Sequence, residues 1–194
     1  MSKTTITFAV ILASVLASVR ARSQYCDFPP DALMHGPRRE YRGPYSNGAY
    51  LYSVVIPDHL VGYDGTNPFY QHGFGIILGE KPYSYVMVDG SPNSLEFPTA
   101  ADAAKTSLEF LSHKAKIISF QVKPMSIDTL PGVFLVANYT CQNSPAKFVV
   151  GSVFAISPNK TYVYQLSLYA TGDQFGKDRA VLDQILKSWR YMPR

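Results

Sequence analysis

Four β-rich runs follow one another through the second half of the chain with only short breaks. They limit the fold more than any other feature. The runs are 116–122, 132–141, 148–157 and 161–171, all dominated by Val, Ile, Phe, Tyr and Ala. Pro-Met-Ser-Ile, Asn-Ser-Pro and Ser-Pro-Asn-Lys separate them. A parallel neighbour needs a crossover of about a dozen residues, so breaks this short predict antiparallel pairing. Three more strands precede this block: 49–56, stopped by Pro57, then 72–78 and 83–88. Asp89-Gly90 and Ser91-Pro92-Asn93 carry turn chemistry, and the Gly, Pro, Asp and Asn of 57–71 predict a long loop.

Two helices complete the pattern. Thr99 stands where an N-cap belongs, with Asp102 three residues on, a variant of the capping box. Ala101, Ala104, Leu108 and Leu111 then recur at spacings of three and four, which predicts one apolar helical stripe. The second helix is predicted over 177–190, with Val181, Leu182, Ile185, Leu186 and Trp189 on one face. Trp189 is the only Trp, and a residue of that size is expected to seal the helix onto the sheet. The expected fold is therefore α+β: an antiparallel sheet of about six to seven strands packed by two helices.

The N-terminus reads as a secretory signal. Lys3 precedes an apolar run from Ile6 to Val19, and Ala21-Arg22-Ser23 fits the small-x-small rule for cleavage before Gln24. The run is too short to span a membrane comfortably. Its removal takes Lys3, Arg20 and Arg22 from the 18 Lys and Arg, leaving 15 against 14 Asp and Glu. A net charge of +1 offers no basic field for nucleic acid. The domain plan is a signal peptide over 1–23, an extended Pro- and Gly-rich arm over 24–47, and one α+β domain over 48–194. Cys26 and Cys141 are the only cysteines, and an exported chain with one pair predicts one disulfide. Neither has a second cysteine or a histidine at ligand spacing, so no metal site is expected, and no cofactor motif is present. The expected location is secreted or periplasmic.

The C-terminal segment Tyr162-Val163-Tyr164-Gln165-Leu166-Ser167-Leu168-Tyr169, with Phe175, Asp178, Leu182, Ile185 and Ser188-Trp189-Arg190, feeds a strand through a short loop into a final helix. It resembles the PsbP-like superfamily, which includes the extrinsic protein of photosystem II, a Ran-binding import factor and many exported bacterial proteins. The resemblance covers the last third of the chain, and the element order extends it. It implies an α+β fold and a binding or assembly role rather than catalysis, and it names no ligand.

One stretch invites a catalytic reading. Gln71-His72-Gly73-Phe74-Gly75-Ile76-Ile77-Leu78-Gly79 places a histidine before alternating glycines, as in the oxyanion loop of some esterases. An α/β-hydrolase also needs a G-x-S-x-G elbow, and none occurs. A phosphate or dinucleotide loop needs a helix directly after the glycines, whereas Ile76-Ile77-Leu78 continues as strand. The structural expectation is that Gly73 and Gly75 clear one face for a ring or helix while Phe74 and Ile76 fill the other. The remaining enzymatic alternative is a small hydrolase using His72 with Ser91 and Asp89, since such a set is recognised by geometry rather than order.

Aromatic residues crowd the first half. Tyr63, Phe69, Tyr70, Tyr83 and Tyr85 lie in or beside Gly- and Pro-rich segments. Exposed, they would suit a protein, peptide or glycan partner; covered, they would form a secondary core. The functional expectation is thus an exported non-catalytic binding or assembly protein of the cell envelope or extracellular space, with the hydrolase as its alternative.

Overall fold

Antiparallel pairing governs every ladder of the computed structural model, which describes Cys26 and residues 39–64, 72–80, 83–141 and 144–193. The expected signal peptide, its cleavage at Ser23/Gln24 and most of the arm lie outside the described residues. In chain order the elements are β1 (Glu40–Tyr41), β2 (Gly43–Asn47), β3 (Tyr52–Ile56), β4 (Gly62–Tyr63), β5 (Gly73–Glu80) and β6 (Tyr83–Pro92). Then come α1 (Ala100–Ser112), β7 (Lys116–Ile127), β8 (Leu130–Thr140), β9 (Lys147–Ile156), β10 (Tyr162–Thr171), α2 (Gly172–Ser188) and β11 (Arg190–Tyr191). Eight strands form one sheet in the order β1-β4-β5-β6-β10-β9-β8-β7, and β11-β3-β2 form a second. The α+β class holds, and the expected strand count of six to seven is too low. No described helix is long and apolar enough to cross a membrane.

The extra strands come from segments whose local composition favours loops. Residues 40–47, expected in the arm, enter both sheets as β1 and β2. Asp89-Gly90-Ser91-Pro92, expected as turns, extend β6 because Gln165, Tyr164, Val163 and Tyr162 pair with them across the ladder. Pro124-Met125-Ser126 likewise continue β7 opposite Val133, Gly132 and Pro131. A strand partner satisfies backbone groups that a turn would leave to solvent, and it overrides weak local preference.

The α1 start is as expected. Thr99 accepts from the Asp102 backbone N–H at 3.3 Å, and the Asp102 carboxylate accepts from the Thr99 N–H at 3.1 Å, closing a capping box. The stripe is rotated slightly from expectation: Ala100, Ala103, Ala104 and Leu111 are buried, whereas Ala101 is exposed. Helix α2 starts at Gly172, five residues before the expected Lys177. Leu182, Ile185 and Trp189 are fully buried.

Strand alternation sorts the large sheet into two faces. Val86, Val88, Leu166 and Leu168 join α2 and the small sheet in the main core, with Tyr52, Val54 and Ile56 from β3. Trp189 stacks on Tyr52 at 6.1 Å and meets Tyr164 edge-on at 5.0 Å. Ser84 on β6 donates to Asp178 of α2 and fastens the helix further. The other face carries Tyr85, Met87, Ala137, Tyr139 and Val150, covered by Leu111 and flanked by Cys26. Cys26 and Cys141 form the expected disulfide, with Cα atoms 5.7 Å apart across 115 residues. Closing a loop of that length stabilises by up to about 4–5 kcal/mol in the chain-entropy model.

Candidate functional site

The three residues of the hydrolase alternative do come together. Asp89 and Ser91 sit two apart on β6 and share the α1 face of the sheet. Asp89 pairs with Gly73, which brings the preceding His72 alongside. The order of contacts is not that of a catalytic triad. Ser91 lies near enough to pull the Asp89 carboxyl down, and the His72 Nδ1 lies 3.9 Å from Asp89 Oδ1. The imidazole therefore approaches the carboxyl and makes no bond to the Ser91 hydroxyl. In a triad the imidazole must stand in the middle to take the hydroxyl proton. No described hydroxyl bonds the His72 ring, which instead packs on Tyr50 at 4.6 Å.

Burial dominates the electrostatics here. It pushes the Asp89 carboxyl up to about 7, against which Ser91 pulls down. It pulls His72 below the ordinary histidine value. Near neutral pH the imidazole is neutral and much of the carboxyl is protonated, so their approach is not an ion pair. Asp89 Oδ1 is buried without a hydrogen-bond partner, which fits a neutral carboxyl better than a charged one.

Asp89 and Ser91 open onto a pocket of about 200 Å³ between α1 and the sheet. Gln165 continues its polar floor, Thr106 and Ser107 stand on the α1 wall, and Phe110 and Leu95 form an exposed apolar rim. Gln165 donates to Ser167 at 2.9 Å, which orients its amide. The period of two in a strand made the Asp89–Ser91 pair legible in the sequence. Gln165 and the α1 residues carried no such signal, because only pairing of β10 with β6 and packing of α1 bring them there. A larger open groove of about 740 Å³ lies between 98–101, the 129–133 turn and the 156–160 turn. Its wall is mostly apolar and brings no acid–base pair together, so it has the size of a ligand site without its chemistry.

The histidine–glycine stretch resolves as strand. The His72 carbonyl accepts from Tyr52 Oη at 2.8 Å and Asn47 Nδ2 at 3.0 Å, and Gly90 N–H reaches it at 3.3 Å. Phe74 and Ile76 are fully buried, as expected. A side chain on Gly73 would overlap the Val88 carbonyl oxygen. The ring approach expected near Gly73 falls instead on Gly90, where an added Cβ would lie 2.9 Å from the Tyr52 ring.

The aromatic candidates separate. Tyr85 is buried and stacks on Tyr169 at 4.7 Å, so it presents no exposed ring to a partner. Tyr63 is half-buried beside the same cluster. Phe69, Tyr70 and the side chain of Tyr83 lie outside the described residues. The exposed apolar surface lies elsewhere and was not anticipated: Phe110 and Leu95 at the pocket rim, and Ile118, Phe120 and Val122 on β7.

No family model matches the chain, and no curated protein matches it in sequence. Solved structures do match. LpqN of Mycobacterium tuberculosis, a protein involved in cell envelope biogenesis, superposes on 87% of this chain and 99% of its own, with TM-score 0.54 and 12% identity. The fold is shared with LpqN. Cyanobacterial PsbP (CyanoP) from Synechocystis is also matched over 86% of this chain and 96% of its own, with TM-score 0.45 and 15% identity. Mog1p of Saccharomyces cerevisiae, a Ran-binding protein, is matched over 81% and 96%, with TM-score 0.42 and 8% identity.

Proposed function

We propose that this chain is an exported, non-catalytic protein that binds or assembles with a partner in the cell envelope or outside the cell. The observation that carries the reading is the uncovered apolar surface of β7, where Ile118, Phe120 and Val122 are 52%, 59% and 41% exposed on one strand. Contiguous exposed apolar side chains on a folded domain are a mark of interaction surfaces. Export is supported by the signal-like N-terminus and by the Cys26–Cys141 disulfide, a bond that persists in oxidising compartments. The envelope part of the proposal takes its direction from LpqN.

The second reading, a hydrolase acting through His72, Ser91 and Asp89, is favoured by one fact: the three side chains meet beside a pocket. The two readings part in one experiment. A photo-crosslinking amino acid replaces Phe120, or Phe110, in the exported protein in its own cells, and the purified protein is screened against p-nitrophenyl esters. The binding reading expects a discrete adduct from one of these positions and no turnover above a His72→Ala control. Turnover that disappears in both His72→Ala and Ser91→Ala would replace it with the hydrolase.

A further inference from the structure

The large sheet ends very differently on its two sides. On one side it closes with β1, two residues long, and Asp64 anchors that end by accepting from Arg39 N–H at 2.8 Å and Tyr41 Oη at 2.6 Å. On the other it ends with β7, twelve residues long, and among the described residues β7 pairs with β8 alone. One side of its backbone therefore faces outward along its length. Folded proteins normally blunt such an edge with charge, proline or brevity. Here the blunting residues stand at the ends: Lys116 at the start, Lys123 and Pro124 past the middle. Between them Ile117-Ile118-Ser119-Phe120-Gln121-Val122 run for six residues with no charge and no proline; one register shift between Ile117 and Ser119 interrupts the start of this run, and Ser119 to Val122 pair with β8 without a break.

We infer that β7 is a docking edge on which an extended, acid-flanked apolar segment of a partner protein adds as a ninth antiparallel or parallel strand. The inference rests on the binding reading above and names its partner chemistry. Backbone pairing would supply the affinity in such an addition, and side chains on alternate positions the selectivity. Phe120 and Val122 pair with Ala137 and Leu135, so their side chains lie on the face that α1 covers. A guest strand would lay its own apolar side chains beside them. Charge decides between the possible guests. Lys114, Lys116 and Lys123 are exposed along this edge, and no acidic residue occurs from Phe110 to Ile127. A second copy of β7 fits poorly: antiparallel self-pairing about Phe120 sets Lys116 opposite Pro124 and Lys123 opposite Ile117, placing lysines of the two copies side by side at both ends. Like charges so placed are destabilising, whereas acids at the same positions are favourable.

The test uses the full exported chain and three fluorescent octapeptides of alternating valine and threonine. One ends in an acid on both sides, one in lysine on both sides, and one is the acid-ended peptide with proline at its centre. Anisotropy is expected to show saturable binding of the acid-ended peptide, at least tenfold weaker with lysine ends or at high salt, and none with proline. Phe120→Lys should weaken binding tenfold or more, whereas Val55→Lys, exposed on the other sheet, should leave it unchanged. Amide exchange should show new protection confined to 117–122. Protection elsewhere, or binding indifferent to Phe120→Lys, overturns the inference. So does a concentration-dependent dimer that the acid-ended peptide cannot dissociate. A cellular adduct at Phe120 without any peptide binding overturns the strand addition and leaves the broader binding reading standing, so the two failures are distinguishable.

Discussion

The two faces of the large sheet are built on opposite terms. The α2 face is sealed: Trp189, Tyr52, Tyr164, Leu182 and Ile185 are all fully buried, and a second sheet closes over them. The α1 face is only partly covered. One thirteen-residue helix lies across it, a disulfide pins Cys26 at its margin, and Asp89, Phe110 and Phe120 are left at or near the surface. The comparison teaches where to look for each kind of residue. The exposed Phe110 and Phe120 and the unsatisfied Asp89 oxygen fall on the α1 side, while the sealed side leaves the Trp189 Nε1 without a partner. Uncovered apolar side chains of that size are a mark of interaction surfaces.

Substitutions should separate the faces by size and by sign. Trp189→Ala on the sealed face removes the largest fully buried side chain and should cost about 3–5 kcal/mol in denaturant unfolding. A loss near zero would mean that the α2 face is not the stabilising one. Asp89→Asn tests the open face through pH. The folded carboxyl is raised to about 7 from 3.8, so its contribution is full below 3.8 and is lost as pH rises through 7. The variant does not titrate there. Its stability relative to the parent should grow between these values and level off above 7, at a gain of up to about 4 kcal/mol, measured by unfolding at several pH values. A constant difference would mean that Asp89 is charged and satisfied in the folded protein. The smallest effect is expected at the sheet edge, where Phe120→Ser should change stability by less than about 0.5 kcal/mol. A larger loss would mean that β7 is part of the core and not a free surface.

What could be read from the sequence followed the range of the interactions. The α1 cap was legible because Thr99 and Asp102 satisfy each other within one turn. The antiparallel order of β7 to β10 was legible because short connections allow nothing else. Asp89-Gly90-Ser91-Pro92 was read as turns because those residues favour turns locally, and the β10 ladder that holds them extended lies seventy or more residues away. The candidate site was half legible for the same reason. Asp89 and Ser91 share a face by strand period, but whether His72 bonds the serine or only approaches the acid depends on the β5–β6 register.

The sequence by itself thus determined the α+β class, the cysteine pair, the helix cap and the buried Trp189, because composition, period and adjacent residues carry those signals. Only the tertiary structure decided that His72 approaches Asp89 and not Ser91, that Tyr85 is core, and that β7 ends the sheet with its apolar side chains uncovered. Burial and strand order are properties of elements distant in sequence. No local pattern records which strand will be left without a neighbour.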